Sequence, residues 1–228
     1  MSHIYTTAGT YYVKAQAQDE NGATSDWSSA HEIVIYSGQI GWTKTYGGSY
    51  NDCGWSVQQT EDGGYIIAGG TQSFGAGGDD IYLIKTNVYG DVEWTKTYGG
   101  SNGDCSFSVQ QTSDGGYIIA GGTTSFGAGY VDVYLIKTDA YGDIEWTKTY
   151  GGSDEDNGWS VQQTEDGGYI IAGGTQSFGA GYCDVYLIKT DAYGNVSPKI
   201  SIRVVQPGGV KSMLRNHPLH MKYEELKR

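Results

Sequence analysis

Trp42, Trp94 and Trp146 each open the same phrase, WTKTYGGS, at a constant spacing of 52 residues. After each one the chain repeats SVQQT, DGGYIIAGGT, SFGAG, YLIKT and YG at fixed offsets, and only about fifteen of the 52 positions vary among the copies. A unit of this length cannot bury its apolar surface alone. It folds as one supersecondary module that packs on its neighbours, which points to propellers and solenoids.

Four strands fit one period. Ser56–Thr60 is short and polar, and Asp62-Gly63-Gly64 closes a tight hairpin. Tyr65–Gly70 is a compact apolar strand, and a glycine-rich loop, Ser73–Gly78, leads to the third, Asp80–Thr86. Tyr89-Gly90-Asp91 turns the chain into the fourth, Glu93–Tyr98. The middle strands are apolar on both faces (Ile66 beside Ile67, Leu83 beside Ile84), whereas a sheet with one wet face would alternate. Blades stacked face to face bury both sides of their middle strands. The polar first strand suits a central channel. The fourth, carrying Lys44, Lys96 and Lys148, suits the outer rim, where charge resists edge aggregation. With 37 Gly against 3 Pro, and 20 Tyr, the composition fits short strands joined by glycine turns. The expected fold is all-β: an incomplete β-propeller of three four-stranded antiparallel blades over residues 38–198, from repeats 42–93, 94–145 and 146–197. A β-solenoid is the rival, but it would normally use shorter coils.

The phrases WTKTYGG, SVQQTEDGGYIIAGGTQSFGAG and DVYLIKTDAYG resemble bacterial and archaeal surface-protein repeats of the seven-bladed β-propeller type, from Trp42 to about Val196. The resemblance implies secreted or surface-anchored proteins and no particular activity. Residues 3–36, with HIYTTAGTYY and an Asp-Glu-Asn-Gly turn, resemble the closing strands of a PKD or similar immunoglobulin-like module. Residues 1–37 are therefore expected to form part of a β-sandwich. Such sandwiches take about 80–100 residues, so the chain is expected to be a fragment of a longer surface protein. In the third repeat Ser197-Pro198 replaces the earlier Glu-Trp, which makes its fourth strand doubtful. Ile200–Gln206 is a candidate substitute strand and Met221–Lys227 a candidate short helix.

The formal net charge is −12, split into +5 over residues 199–228 and −17 over the rest. An acidic body argues against phosphate-backbone binding, and the basic tail is read as solvated rather than as a contact for anionic lipid or nucleic acid, so no nucleic-acid partner is expected. The sequence holds no apolar run of the length a transmembrane span needs. Cys53, Cys105 and Cys183 make no paired framework and are expected to be free thiols. His3, His31, His217 and His220 all lie outside the repeats, which leaves the blades without an imidazole base. Near-identical blades also offer copies rather than the differentiated groups a catalytic pair needs. The chain is read as non-enzymatic, with a glycoside- or quinone-type propeller enzyme as the alternative and no cofactor expected.

Asp52, Asp104 and Asp156 recur before the first strand, and Asp80, Asp132 and Asp184 before the third. The first set is a candidate Ca²⁺ site. The competing reading is that each carboxylate fixes its own loop through backbone N–H groups. Differences among copies gather in two loops expected on one face, which also carries Phe74, Phe126, Phe178, Tyr130 and Tyr182. Those five are the candidate ligand-binding residues, suited to carbohydrate or a surface protein. The expected role is an extracellular or cell-surface interaction or adhesion module, with a purely structural surface-layer spacer as the further alternative. Three blades are too few to close a ring, so a homodimer forming a six-bladed ring, with residues 40–47 completing the partner's third blade, is also expected.

Overall fold

A computed structural model describes residues 9–14, 16–18, 20–26, 28–35 and 41–196. Every regular element among them is a β-strand. Strands β1 (Gly9–Val13) and β2 (His31–Ile35) pair antiparallel from Gly9 opposite Ile35 to Val13 opposite His31. An isolated bridge joins Gln18 and Thr24 around Asn21-Gly22, where Gly22 has φ 87°. Among the described residues this segment forms a two-stranded sheet and no second layer.

The repeats form three antiparallel sheets. Sheet 1 runs β3 (Asp52–Gln59), β4 (Tyr65–Thr71), β5 (Asp80–Thr86) and β6 (Val92–Tyr98), in sequence order. Sheet 2 repeats this with β7 (Asp104–Gln111), β8 (Tyr117–Thr123), β9 (Asp132–Thr138) and β10 (Ile144–Tyr150). Sheet 3 holds β11 (Asp156–Gln163), β12 (Tyr169–Thr175) and β13 (Asp184–Thr190). None of the sheets closes on itself. Sheets 1 and 2 are thus offset from the sequence repeat, the fourth strand of each being the WTKTY that opens the next copy.

The described sheets depart from the regular blade at three places. The third sheet has three strands among the described residues, and the residues that would form its fourth, from Ser197 on, lie outside them. Residues 41–47 have the strand sequence but form no ladder, since no described strand lies beside them. The first strand is longer than Ser56–Thr60, starting at Asp52. A bulge between Gly54 and Ser56 lets the glycine-containing segment continue the ladder. The backbones come so close there that a Cβ on Gly69 would lie 1.8 Å from the Cys53 carbonyl oxygen. The candidate strand Ile200–Gln206 and helix Met221–Lys227 lie outside the described residues.

The sheets stack face on face. Ile66, Ala68, Ile81 and Leu83 of sheet 1, all fully buried, pack on Val109, Tyr117, Ile119, Tyr134 and Ile136 of sheet 2. Ile118, Ala120, Val133 and Leu135 of sheet 2 pack in the same way on Val161, Tyr169, Ile171 and Ile188 of sheet 3. Each buried aliphatic side chain contributes about 1.5–3 kcal/mol. The sequence DVYLIKT shows how strongly stacking decides burial. In β9, covered on both sides, all seven residues are buried; in β13 they alternate between covered and exposed.

Polar residues tie the stack together. Ser56 Oγ accepts from Val109 N at 3.1 Å and Gln58 Oε1 from Gln111 N at 2.6 Å, and Gln111 Oε1 accepts from Glu61 N at 2.9 Å. Ser108, Gln110 and Gln163 repeat this between sheets 2 and 3, at 3.1, 2.6 and 2.9 Å. Free N–H groups along one first strand are thereby satisfied by side chains of the preceding one. Within sheets 1 and 2 a buried lysine ties the two hairpin turns. Lys137 Nζ meets Asp114 at 2.9 Å, Glu145 at 3.0 Å and the Thr138 carbonyl at 2.8 Å, and Lys85 does the same with Asp62, Glu93 and Thr86.

Candidate functional site: the loop end of the sheets

The loop entering each first strand and the loop between second and third strands lie at the same end of the sheets. Gln72 N donates to Asn51 O, Thr124 N to Gly103 O and Gln176 N to Glu155 O, each at 2.8 Å. The loops also join sheet to sheet, because Asp104 N donates to Asp79 O at 2.7 Å and Asp156 N to Val131 O at 2.8 Å. The variable positions therefore line one continuous surface.

The aspartates anchor this surface. Oδ2 of Asp52, Asp104 and Asp156 accepts from the N–H of Gly48, Gly100 and Gly152, each at 2.8 Å. The same oxygens accept from the hydroxyls of Ser73, Ser125 and Ser177 at 2.8, 2.6 and 2.6 Å. A short hydrogen bond from Thr71 is the main cause holding the Asp52 carboxyl below the ordinary carboxylate value. For Asp156, burial pushes upward, but hydrogen bonds from Ser177, Thr175 and the Gly152 N–H outweigh it and the net direction is down. The second set is built alike: Asp80 Oδ2 accepts from Ala76 N at 2.9 Å and Gly77 N at 3.1 Å, and Asp132 and Asp184 repeat this.

The candidate calcium residues Asp52, Asp104 and Asp156 stand one per sheet and do not meet. Carboxylates of neighbouring sheets do converge: a Cβ on Gly99 would meet Asp80 Oδ1 at 2.1 Å and Asp104 Oδ2 at 2.7 Å, with the same arrangement of Asp132 and Asp156 around Gly151. Two carboxylates fall well short of the six to eight oxygens calcium takes. No group of three metal-ligating side chains forms among the described residues.

The five candidate aromatics fall into two kinds. Phe74, Phe126 and Phe178 lean on Tyr82, Tyr134 and Tyr186 with ring centroids 5.5, 5.5 and 5.6 Å apart, leaving each Phe about half exposed. Tyr130 and Tyr182 stand free, 73% and 99% exposed. Three further aromatics stand outside the candidate set of five. Tyr50, 73% exposed, occupies the variable position matching Asn102 and Asp154. Trp55 and Trp159 are exposed at the bulges of β3 and β11, where a bulge re-aims its side chain. Their signal was present: an aromatic follows each variable segment.

The opposite end is not devoted to turn geometry alone. Asn87, Asp139 and Asp191 do form side-chain-capped turns, accepting from Tyr89 N, Tyr141 N and Tyr193 N at 2.9, 2.8 and 2.9 Å. The rings of these tyrosines are nonetheless well exposed. A shallow polar cavity of about 280 Å³ also opens there, between Gln58–Glu61 and Gln111–Ser113. No helix among the described residues is long and apolar enough to cross a membrane. Neither protein-family models nor curated proteins give a match to the chain.

Proposed function

We propose that the three sheets are blades of a β-propeller and that the chain is a non-enzymatic interaction module, extracellular or at the cell surface. The ligand is carbohydrate or a surface protein, taken on the loop end. The observation that carries this reading is the coincidence of sequence variation with free aromatic rings on one continuous surface, at Tyr50, Tyr130 and Tyr182. Tyrosine offers large contact area at low entropic cost, and such anchors dominate interfaces. The acidic body, −17 outside residues 199–228, favours neutral sugars or basic protein partners over anions. The surface location, the seven-bladed relationship and the PKD-like segment rest on the resemblance of the repeat phrases and of residues 3–36.

The test is binding of the full chain to a glycan array and to purified surface proteins. The Tyr130→Ala/Tyr182→Ala double variant is expected to weaken any ligand found by tenfold or more, while Tyr89→Ala/Tyr141→Ala at the opposite end leaves it unchanged. A ligand indifferent to the first pair removes the loop end as the site. Failure to bind any probe makes the spacer the better reading.

A further inference from the structure

The same pair of faces meets twice inside this chain, and one copy of each is left over. The leading face of sheet 3 repeats that of sheets 1 and 2, yet Val185 and Leu187 are 85% and 65% exposed where Val133 and Leu135 are fully buried. On the trailing face of sheet 1, Val57 is 64% exposed, against 6% and 4% for Val109 and Val161. A cavity of about 70 Å³ opens on that face beside Tyr46, Ile67, Tyr82 and Ile84. The polar ladder is left unpaired at the same two places. Ser160 and Gln162 have no following strand to accept from, and the N–H groups of Val57 and Gln59 have no preceding side chain to meet, among the described residues.

Residues 41–47 supply the third observation. Trp42 packs on Tyr65 with centroids 5.8 Å apart, Lys44 meets Asp91 at 2.8 Å, and Tyr46 Oη donates to Gly90 O at 2.8 Å. Strand β6 makes the same contacts with sheet 2: Trp94 with Tyr117 at 5.8 Å, Lys96 with Asp143 at 2.7 Å, Tyr98 with Gly142 O at 2.7 Å. The segment lies where the fourth strand of a preceding sheet belongs, without that sheet. Sheet 3 has the opposite deficiency, a β13 edge that no strand among the described residues pairs with.

We propose that a second copy of this chain docks head to tail, sheet 3 of one copy against sheet 1 of the other. Residues 41–47 of each copy add as the fourth strand to sheet 3 of the other. The register follows from β10 on β9, where Trp146, Lys148 and Tyr150 face Lys137, Leu135 and Val133. Trp42, Lys44 and Tyr46 accordingly face Lys189, Leu187 and Val185 of the second copy. Two copies give six sheets, inside the range of about four to eight that propellers use, whereas one copy or three falls outside it. The assembly closes with two equal junctions.

The junction brings two cysteines together. Between sheets 2 and 3, a Cβ on Gly122 would meet Asn157 Oδ1 at 2.5 Å and Val131 Cγ1 at 3.0 Å, so those side chains converge. The residues at those two positions of the new junction are Cys53 of one copy and Cys183 of the other. Cys183 Sγ already lies 3.0 Å from the Cβ position of Gly174, the counterpart of Gly122. Trp159, whose ring covers Gly174 in the single chain, turns onto Trp55 of the second copy, as Trp55 meets Phe107 across sheets 1 and 2 at 6.4 Å. Within one chain the two cysteines occupy opposite ends of the stack.

The test uses the full chain and diamide. Two thiols become one disulfide, their two electrons and two protons reducing the diazene to a hydrazine. A cross-linked dimer is expected on a non-reducing gel, reversed by dithiothreitol, abolished in Cys53→Ser and in Cys183→Ser, and retained in Cys105→Ser. Light scattering under reducing conditions is expected to give twice the 24.6 kDa chain mass. Val185→Lys/Leu187→Lys, a change at positions exposed in the single chain, is expected to weaken dimerisation at least a hundredfold while the far-UV spectrum stays unchanged. A monomer mass at about 100 μM, an open-ended ladder of oligomers, cross-linking independent of Cys53 and Cys183, or a lysine variant that dimerises as well as the parent would each overturn the proposal.

Discussion

Replacing Lys137 and Lys189 by methionine, one at a time, separates burial from sequence, because both sit in the identical strand DVYLIKT. Lys137 is 2% exposed and its Nζ holds Asp114, Glu145 and the Thr138 carbonyl. Lys189 has a side chain 42% exposed and meets Asp166 as its carboxylate partner, since Ser197 stands where Glu145 would be. Methionine keeps the stem and fills the volume, so the change removes charge more than packing. Breaking a fully buried pair costs about 3–5 kcal/mol because a charge is stranded. Here Asp114 and Glu145 are 56% and 46% exposed and rehydrate, which brings the expected cost of Lys137→Met to about 2 kcal/mol. For Lys189→Met the surface-pair value of about 0.5 kcal/mol applies. Urea unfolding followed by tryptophan fluorescence reads the difference, with the slope monitored for loss of cooperativity between sheets. Equal losses for the two variants, or a neutral Lys137→Met, would refute the reasoning that stacking creates the lysine clamp.

Two further outcomes follow from the same geometry. Hydrogen bonds from Lys85 and Thr60 hold the Asp62 carboxyl down to about 2. Its folded value lies below the unfolded one near 3.9, so the stabilisation is complete above about pH 4 and disappears as pH falls through the folded value. With Asp62 58% exposed, screening leaves this at roughly 1 kcal/mol, and Lys85→Met is expected to raise the midpoint of acid unfolding. Gly121→Ala would place a Cβ 1.9 Å from the Cys105 carbonyl oxygen, and is expected to cost more than about 3 kcal/mol in a thermal melt. Gly115→Ala, in open space at φ 84°, is expected to cost about 1 kcal/mol.

The sheets themselves were legible in the sequence because DGG, YG and SFGAG punctuate each period and the apolar runs between them are too short for helices. The loop end was legible as well, since antiparallel order alone puts the two variable loops together. What the pattern could not carry was contact between periods. SVQQT reads as a bland polar strand, and nothing local reveals that Ser56 and Gln58 satisfy the backbone 53 residues on. Nothing in YLIKT alone tells whether its lysine is covered: Lys85 and Lys137 are 4% and 2% exposed, whereas the Lys189 side chain is 42% exposed. Burial there comes from a neighbouring sheet, and one period of sequence does not contain its neighbour. The exposure of Trp55 was less legible, because it falls on the bulge between Gly54 and Ser56, where an extra residue interrupts the alternation of the strand.

Repetition also constrains where recognition can reside. The invariant polar residues are engaged: Asp52 and Asp80 and their counterparts with loop N–H groups, the YLIKT lysines with turn carboxylates, and Ser56, Gln58 and Gln111 with the adjoining strand. Each atom bonded in this way keeps little capacity for a ligand, and freeing it would cost about 1–3 kcal/mol, although Oδ1 of Asp104 and of Asp156 is buried without a hydrogen-bond partner. Invariance among the copies therefore reflects the building of sheets and junctions. Tyr50, Asn102 and Asp154 share one position of the repeat and carry three different chemistries, as do Asp79, Val131 and Cys183. At Asp79 and Val131 the backbone carbonyl takes the inter-sheet bond, so the sheet junction itself does not require one particular side chain there. Positions whose backbone is fixed and whose side chain is free are where a repeat can acquire specificity without losing its stack.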